Sequence, residues 1–104
     1  MGSLPDSSLV ICSRDRPELL GDTVGWVLAG DAIPTEIVIV DQSTVPHPTL
    51  PTLTSQACVI RYIQSRSIGL CRARNEAVTA ARYELLAFTD DDMRAEPAWY
   101  GTLL

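Results

Sequence analysis

The sequence predicts an α/β fold, a mostly parallel sheet of about four strands sandwiched between helices. Three observations carry the prediction. Four short apolar runs recur along the chain: "SLVIC" (8–12), "EIVIV" (36–40), "VIRYI" (59–63) and "ELLAF" (84–88). The first two are continuous rather than alternating, as in parallel strands covered on both faces. Segments of helical or crossover length separate the runs, giving the order β-α-β-x-β-α-β.

The first run leads into "PELLGDTVGWVLAG". Pro17 suits a first helical turn, Leu20, Val24, Val27 and Leu28 follow helical spacing, and Gly30 is placed to end the helix. Gly21 and Gly25 weaken it by roughly 1 kcal/mol each relative to alanine. After the second run, prolines at 46, 48 and 51 forbid an immediate helix. A short one near Leu53 to Ala57 is open, and the segment is long enough to cross between parallel strands. "GLCRARNEAVTAARY" is a helix with Leu70, Ala73, Ala77 and Ala81 on one face. Arg74 falls on that apolar face, beside Leu70, Ala77 and Ala81, whereas Arg72, Asn75 and Glu76 point away. Pro97 starts a last helix with Trp99, Leu103 and Leu104 as its apolar side. The chain stops there, inside an unfinished amphipathic pattern, and is expected to be a fragment of one domain.

Composition narrows the function classes. The 104 residues are 46% hydrophobic and 20% charged, which suits a globular chain able to bury roughly two-thirds of its surface. A net charge of -5 argues against nonspecific nucleic-acid binding, which needs a basic face. An acidic protein that handles phosphates needs a metal or well-placed arginines. Cys12, Cys58 and Cys71 form no CxxC and are expected as reduced thiols of a cytosolic protein. No apolar run approaches the ~20 residues of a membrane span, and no signal core opens the chain.

In open α/β sheets ligands bind beyond the carboxyl ends of the strands. Those ends deliver Ser13-Arg14-Asp15-Arg16, Asp41-Gln42-Ser43, Gln64-Ser65-Arg66-Ser67 and Thr89-Asp90-Asp91-Asp92 to one rim. Turn chemistry alone explains any one of these; four together, with three consecutive aspartates, point to a site. Asp90 and Asp92 project to one side of an extended chain, Asp91 to the other. Their carboxylates suit Mg²⁺ or Mn²⁺, which needs few protein ligands when phosphates supply the rest. A solvated acidic turn ahead of Pro97 is the alternative. Arg74 either snorkels or reaches from the first helical turn toward an anion. His47, between two prolines, is expected to be an exposed bystander. Glycine-rich dinucleotide, NTPase and hydrolase signatures are absent.

The ordered set "LVICSRDRPELL", "EIVIVDQST", "GLCRARNEAV", "LLAFTDDDM" and "EPAWY" resembles the inverting family 2 glycosyltransferases, over almost the whole chain. The resemblance implies the first, nucleotide-sugar-binding half of a Rossmann-like GT-A fold. It puts the base on Asp41, the nucleoside along Ser13, and the D-x-D motif on Asp90 and Asp92. Ser13, Asp41, Arg74, Asp90 and Asp91 are thus expected around the nucleotide sugar, a UDP-sugar foremost. Asp92 with Asp90 is expected around a divalent Mg²⁺ or Mn²⁺. Gln42 stands where the family often has a second acidic residue, which leaves the base preference open. No residue maps onto the base that deprotonates the acceptor hydroxyl, so the chain alone is expected not to transfer sugar. An unpaired edge at Leu85–Phe88 predicts self-association. The setting implied is cytoplasmic, free or at the inner face of the membrane. The rival reading is a non-catalytic α/β module with an acidic metal- or partner-binding rim. A sugar-nucleotide pyrophosphorylase is disfavoured because "CSRDRP" lacks a glycine-rich turn.

Overall fold

Two strands buried almost throughout form the centre of the protein, as their unbroken apolar runs require. In the computed structural model, which describes residues 5–94 and 96–103, β1 (Ser8–Ser13) is followed by α1 (Pro17–Leu28) and β2 (Glu36–Asp41). A single 3-10 turn (Leu50–Thr52) leads to β3 (Val59–Gln64), then come α2 (Leu70–Ala80), β4 (Leu86–Thr89) and α3 (Trp99–Leu103). The sheet has the order β3-β2-β1-β4, with every pairing parallel.

The period of two along the strands sorts the core into two layers. Leu9, Ile11, Ile37 and Ile39 face α1 and pack with Leu20, Val24 and Val27, joined by Leu50 and Tyr100. Val10, Val38 and Val40 face α2 and pack on Ala73 and Ala77. The result is the expected three-layer sandwich. At the amino ends of the strands, buried Glu36 accepts from Ser8 Oγ and the Arg82 amide, both at 2.6 Å, with Arg61 Nη1 at 3.7 Å. A hydrophobic run alone does not reveal this buried carboxylate.

Several local expectations need correction. Residues 53–57 form no helix. The helical turn sits at 50–52 instead, because Pro51 fits a first position and His47 Nδ1 accepts the amides of Thr49 and Leu50. His47 is therefore no bystander: it is buried, and Nε2 bonds Pro17 O at 2.8 Å. With Nδ1 accepting, Nε2 carries the proton and donates. Leu70 is exposed, since α2 meets the sheet through the small Ala73 and Ala77, with Ala80 beside them. Glu76 does not point away, but accepts from Ser65 Oγ and Ser67 Oγ. In the last helix the anchor is Tyr100, whose hydroxyl bonds Ser7 Oγ at 2.7 Å, while Leu103 is exposed. Leu104 lies outside the described residues.

Gly30 sits at a close approach of two chain segments. A Cβ there would lie 3.2 Å from Pro97 O, the same carbonyl that accepts the Asp31 amide at 2.7 Å. This contact ties the end of α1 to the segment before α3 and so fixes the chain just beyond the three aspartates. No described helix is long and apolar enough to cross a membrane.

Candidate functional site

β1, β2 and β4 run parallel in adjacent positions, so the residues after them meet at one rim. Ser13 ends β1, and its hydroxyl donates to Asp91 Oδ2 at 2.7 Å. Thr23 of α1 donates to the main-chain oxygens of Asp91 at 2.8 Å and Met93 at 3.2 Å. The acidic loop is thereby held from beneath by a strand and a helix. Asp91 faces inward and is buried, while Asp90 and Asp92 stay exposed. The separation of Asp91 from its neighbours agrees with the alternation expected, although Asp91 and Asp92 lie in a turn rather than in extended chain.

Arg16 joins the cluster. Its Nη1 lies 3.3 Å from Asp91 Oδ1 and 3.7 Å from Asp92 Oδ2. The loop carrying it bends sharply at Asp15, which takes a left-handed φ of 56° and donates its amide to Ser43 Oγ at 2.6 Å. Aspartate tolerates this region better than most side chains. The sequence puts Arg16 on the rim, yet spacing gives no sign that it pairs with Asp91, 75 positions away.

A cavity of about 490 Å³ opens here, bounded by Ser13, Arg14, Arg16, Gln42 and the three aspartates. Gln42 is oriented by donating Nε2 to Gly69 O at 2.9 Å and to Ser67 Oγ at 3.0 Å. Gly69 has a φ of 96°, a conformation suited to glycine. Arg14 and Gln42 also border a neighbouring cavity of about 570 Å³, between the loops after β2 and β3. On the other side, Asp90 and Cys12 are shared with one of about 340 Å³ that includes Arg74 and Phe88. Together they make a trough along the carboxyl edge of the sheet. Burial pushes the Cys12 thiol up from its ordinary value, so Cys12 is an uncharged part of the wall.

Arg74 is exposed, stands 6.0 Å from the Phe88 ring centroid, and makes no ion pair among the described residues. It leaves the packed face of α2 and shares a cavity with Asp90. Asp41 is set differently. It is buried, accepts from the Ser43 amide and hydroxyl on one oxygen, and from Tyr62 Oη at 2.6 Å on the other. Ser43 and Gln42 stand between it and the open trough. Burial, and the hydrogen bond to the Asp41 carboxylate, push the Tyr62 hydroxyl up to about 12.

The structure thus brings Ser13, Asp90, Asp91, Asp92 and Arg74 to the trough and sets Asp41 behind it. No cluster of three metal-ligating side chains occurs among the described residues. Asp90 and Asp92 offer two exposed hard-oxygen donors, a set that fits an ion completing its shell with ligand phosphates. Arg14 and Arg16 line the same cavity, residues whose guanidinium chemistry suits phosphate oxygens. No curated protein matches the chain. A family does: the model of "Glycosyl transferase family 2" matches residues 8–104, and the chain belongs to that family.

Proposed function

We propose that this chain is the nucleotide-sugar-binding part of an inverting, metal-dependent glycosyltransferase. The whole protein would transfer a sugar from a nucleoside diphosphate to an acceptor hydroxyl. One observation carries the reading: the exposed aspartates Asp90 and Asp92 line the same cavity as Arg14 and Arg16, and the Arg16 guanidinium stands 3.7 Å from the Asp92 carboxylate. A diphosphate with a divalent cation matches both signs of charge at once.

In this reading Asp92, with Asp90, holds Mg²⁺ or Mn²⁺ on the diphosphate. Bound there, the ion offsets charge on the departing nucleoside diphosphate. The chain's own groups do the rest. Ser13 runs along the nucleoside while fixing Asp91, and Asp91 keeps Arg16 at the diphosphate. Arg74 closes the sugar side beside Asp90. The base sits over the Asp41–Ser43 loop, with Asp41 setting that loop through Ser43 and Tyr62. Gln42, on the wall itself, shares in base choice. The acceptor and its catalytic base are assigned to no residue of this chain, which is expected to bind donor without transferring it, in a cytoplasmic setting. The β4 edge, with Leu85 and Phe88 exposed, pairs with a second copy when these residues stand alone.

Calorimetry with UDP, GDP and TDP, each with and without Mn²⁺, tests the reading. Metal-dependent binding of at least one nucleotide is expected, UDP foremost. A folded sample that binds none of the three refutes it. Light scattering across a dilution series tests the pairing of copies, and a constant monomer mass rules it out.

A further inference from the structure

We infer that Arg16 is the resident counter-cation of the acidic loop, one that opposes metal alone and favours metal arriving with a diphosphate. The inference rests on the reading of the site just given. Three adjacent carboxylates repel one another, and Arg16 is the group that bridges two of them. One nitrogen, Nη1, lies 3.3 Å from Asp91 Oδ1 and 3.7 Å from Asp92 Oδ2. The two ends of this bridge differ. The Asp91 side chain is 10% exposed and also held by Ser13, whereas those of Asp92 and Arg16 are 52% and 53% exposed. Arg16 can therefore turn about Asp91 and release Asp92 without disturbing the core.

The main chain supports such a pivot. Arg16 directly precedes Pro17, the first residue of α1, and its carbonyl accepts the Leu20 amide at 2.9 Å. The backbone is fixed while the guanidinium reaches into the cavity lined by Asp90 and Asp92. A guanidinium carries five N–H donors, and this bridge uses a single nitrogen.

Charge sets the direction of the effect. Beside Asp92, a fixed positive group lowers the affinity of that carboxylate for a bare divalent ion. A nucleoside diphosphate brings more negative charge than the ion brings positive, so the same guanidinium then attracts the complex. Arg16 should thus act with opposite sign on the two ligands. A purely structural residue would weaken both together. The consequence is ordered loading, in which metal enters as its nucleotide complex.

The experiment compares the unaltered chain with Arg16→Ala, Arg16→Lys and, as a charge control outside the cavity, Arg72→Ala. Mn²⁺ alone is titrated by electron paramagnetic resonance, and UDP in saturating Mn²⁺ by calorimetry, with circular dichroism reporting the fold. Arg16→Ala is expected to bind Mn²⁺ alone about two- to fivefold more tightly, the scale of a partly exposed ion pair. It should bind UDP with Mn²⁺ about tenfold or more weakly, the scale of a charge-assisted bond. Arg16→Lys keeps the opposition to bare Mn²⁺ but regains only part of the UDP affinity, because an ammonium lacks the planar fork. Arg72→Ala moves neither value.

No gain in Mn²⁺ affinity for folded Arg16→Ala overturns the inference, including the case where neither protein binds bare Mn²⁺. Should Arg16→Ala not fold, Arg16→Lys decides: reduced UDP affinity at constant Mn²⁺ affinity supports the role, and two unchanged values overturn it. An unaltered chain that binds UDP and Mn²⁺ while its Arg16 variants match it sinks this inference alone. An unaltered chain that binds neither sinks the reading beneath it as well.

Discussion

Ser13 Oγ donates to Asp91 Oδ2 at 2.7 Å, joining the last residue of β1 to the loop after β4 across 78 positions of sequence. The carboxylate it serves is buried, so removing the donor leaves a desolvated oxygen without that partner. Ser13→Ala should destabilise the fold by about 1–3 kcal/mol. Urea unfolding checks this, and a variant as stable as the parent would show that Asp91 is satisfied without Ser13.

The neighbouring aspartates should separate by function. Asp92 is half exposed and outside the buried network, so Asp92→Asn should keep its melting temperature while UDP binding loses its dependence on Mn²⁺. Asp91→Asn should do the reverse, lowering the melting temperature and retaining part of the metal response. The pair of measurements is calorimetry and thermal unfolding on each variant. Equal behaviour of the two would remove the division of labour described for the loop.

Asp15 holds a left-handed backbone at the bend between β1 and α1. Glycine takes this conformation freely, while a β-branched side chain is strained in it. Asp15→Val should destabilise by about 1–2 kcal/mol, the scale of that steric penalty. Asp15→Gly should stay near the parent. Denaturant midpoints of the two variants decide the point, and equal losses would place the importance of Asp15 in its side chain.

Tyr62 gives a pH signature. Its folded value of about 12 stands above the ordinary tyrosine value of 10, through burial and the bond to Asp41. The folded state therefore keeps a proton that the unfolded state loses first. The stabilisation is complete below pH 10 and disappears as pH rises toward 12. Tyr62→Phe should flatten this part of the alkaline limb seen in unfolding midpoints. It should also weaken the parent fold at neutral pH, because Asp41 Oδ2 and the His47 amide lose their common partner. Asp41→Ala, at the residue that the resemblance puts against the base, should for the same reason lower stability.

The strands and both longer helices were legible in the sequence because hydrophobic periodicity records local geometry. Continuous runs at Val10 and Val38 foretold burial on both faces, and Pro17 and Gly30 foretold the limits of α1. The rim was legible too, since parallel strands deliver their carboxyl ends to one place. What stayed hidden was partner choice across long separations. Nothing local says that Arg16 meets Asp91, that Tyr62 caps Asp41, or that His47 is buried between Pro17 and Leu50. Leu70 misled for a related reason: helical spacing identifies a stripe, but the width of that stripe depends on what packs against it.

The order in which β1 acquires its neighbours bears on how the chain reaches this state. β2 follows after one helix, whereas β4 begins at Leu86, after β2, β3 and α2 have all been made. During synthesis β1 therefore has one ladder satisfied and the other side open until β4 has emerged. Pairing across such a separation is entropically slow, and an unfilled strand edge is a template for foreign strands. The nascent chain should depend on chaperone cover until the β1–β4 gap closes, a slow step because it joins distant parts of the chain. That same closure draws Asp91 onto Ser13, so the acidic pocket comes into being only when β1 and β4 have paired.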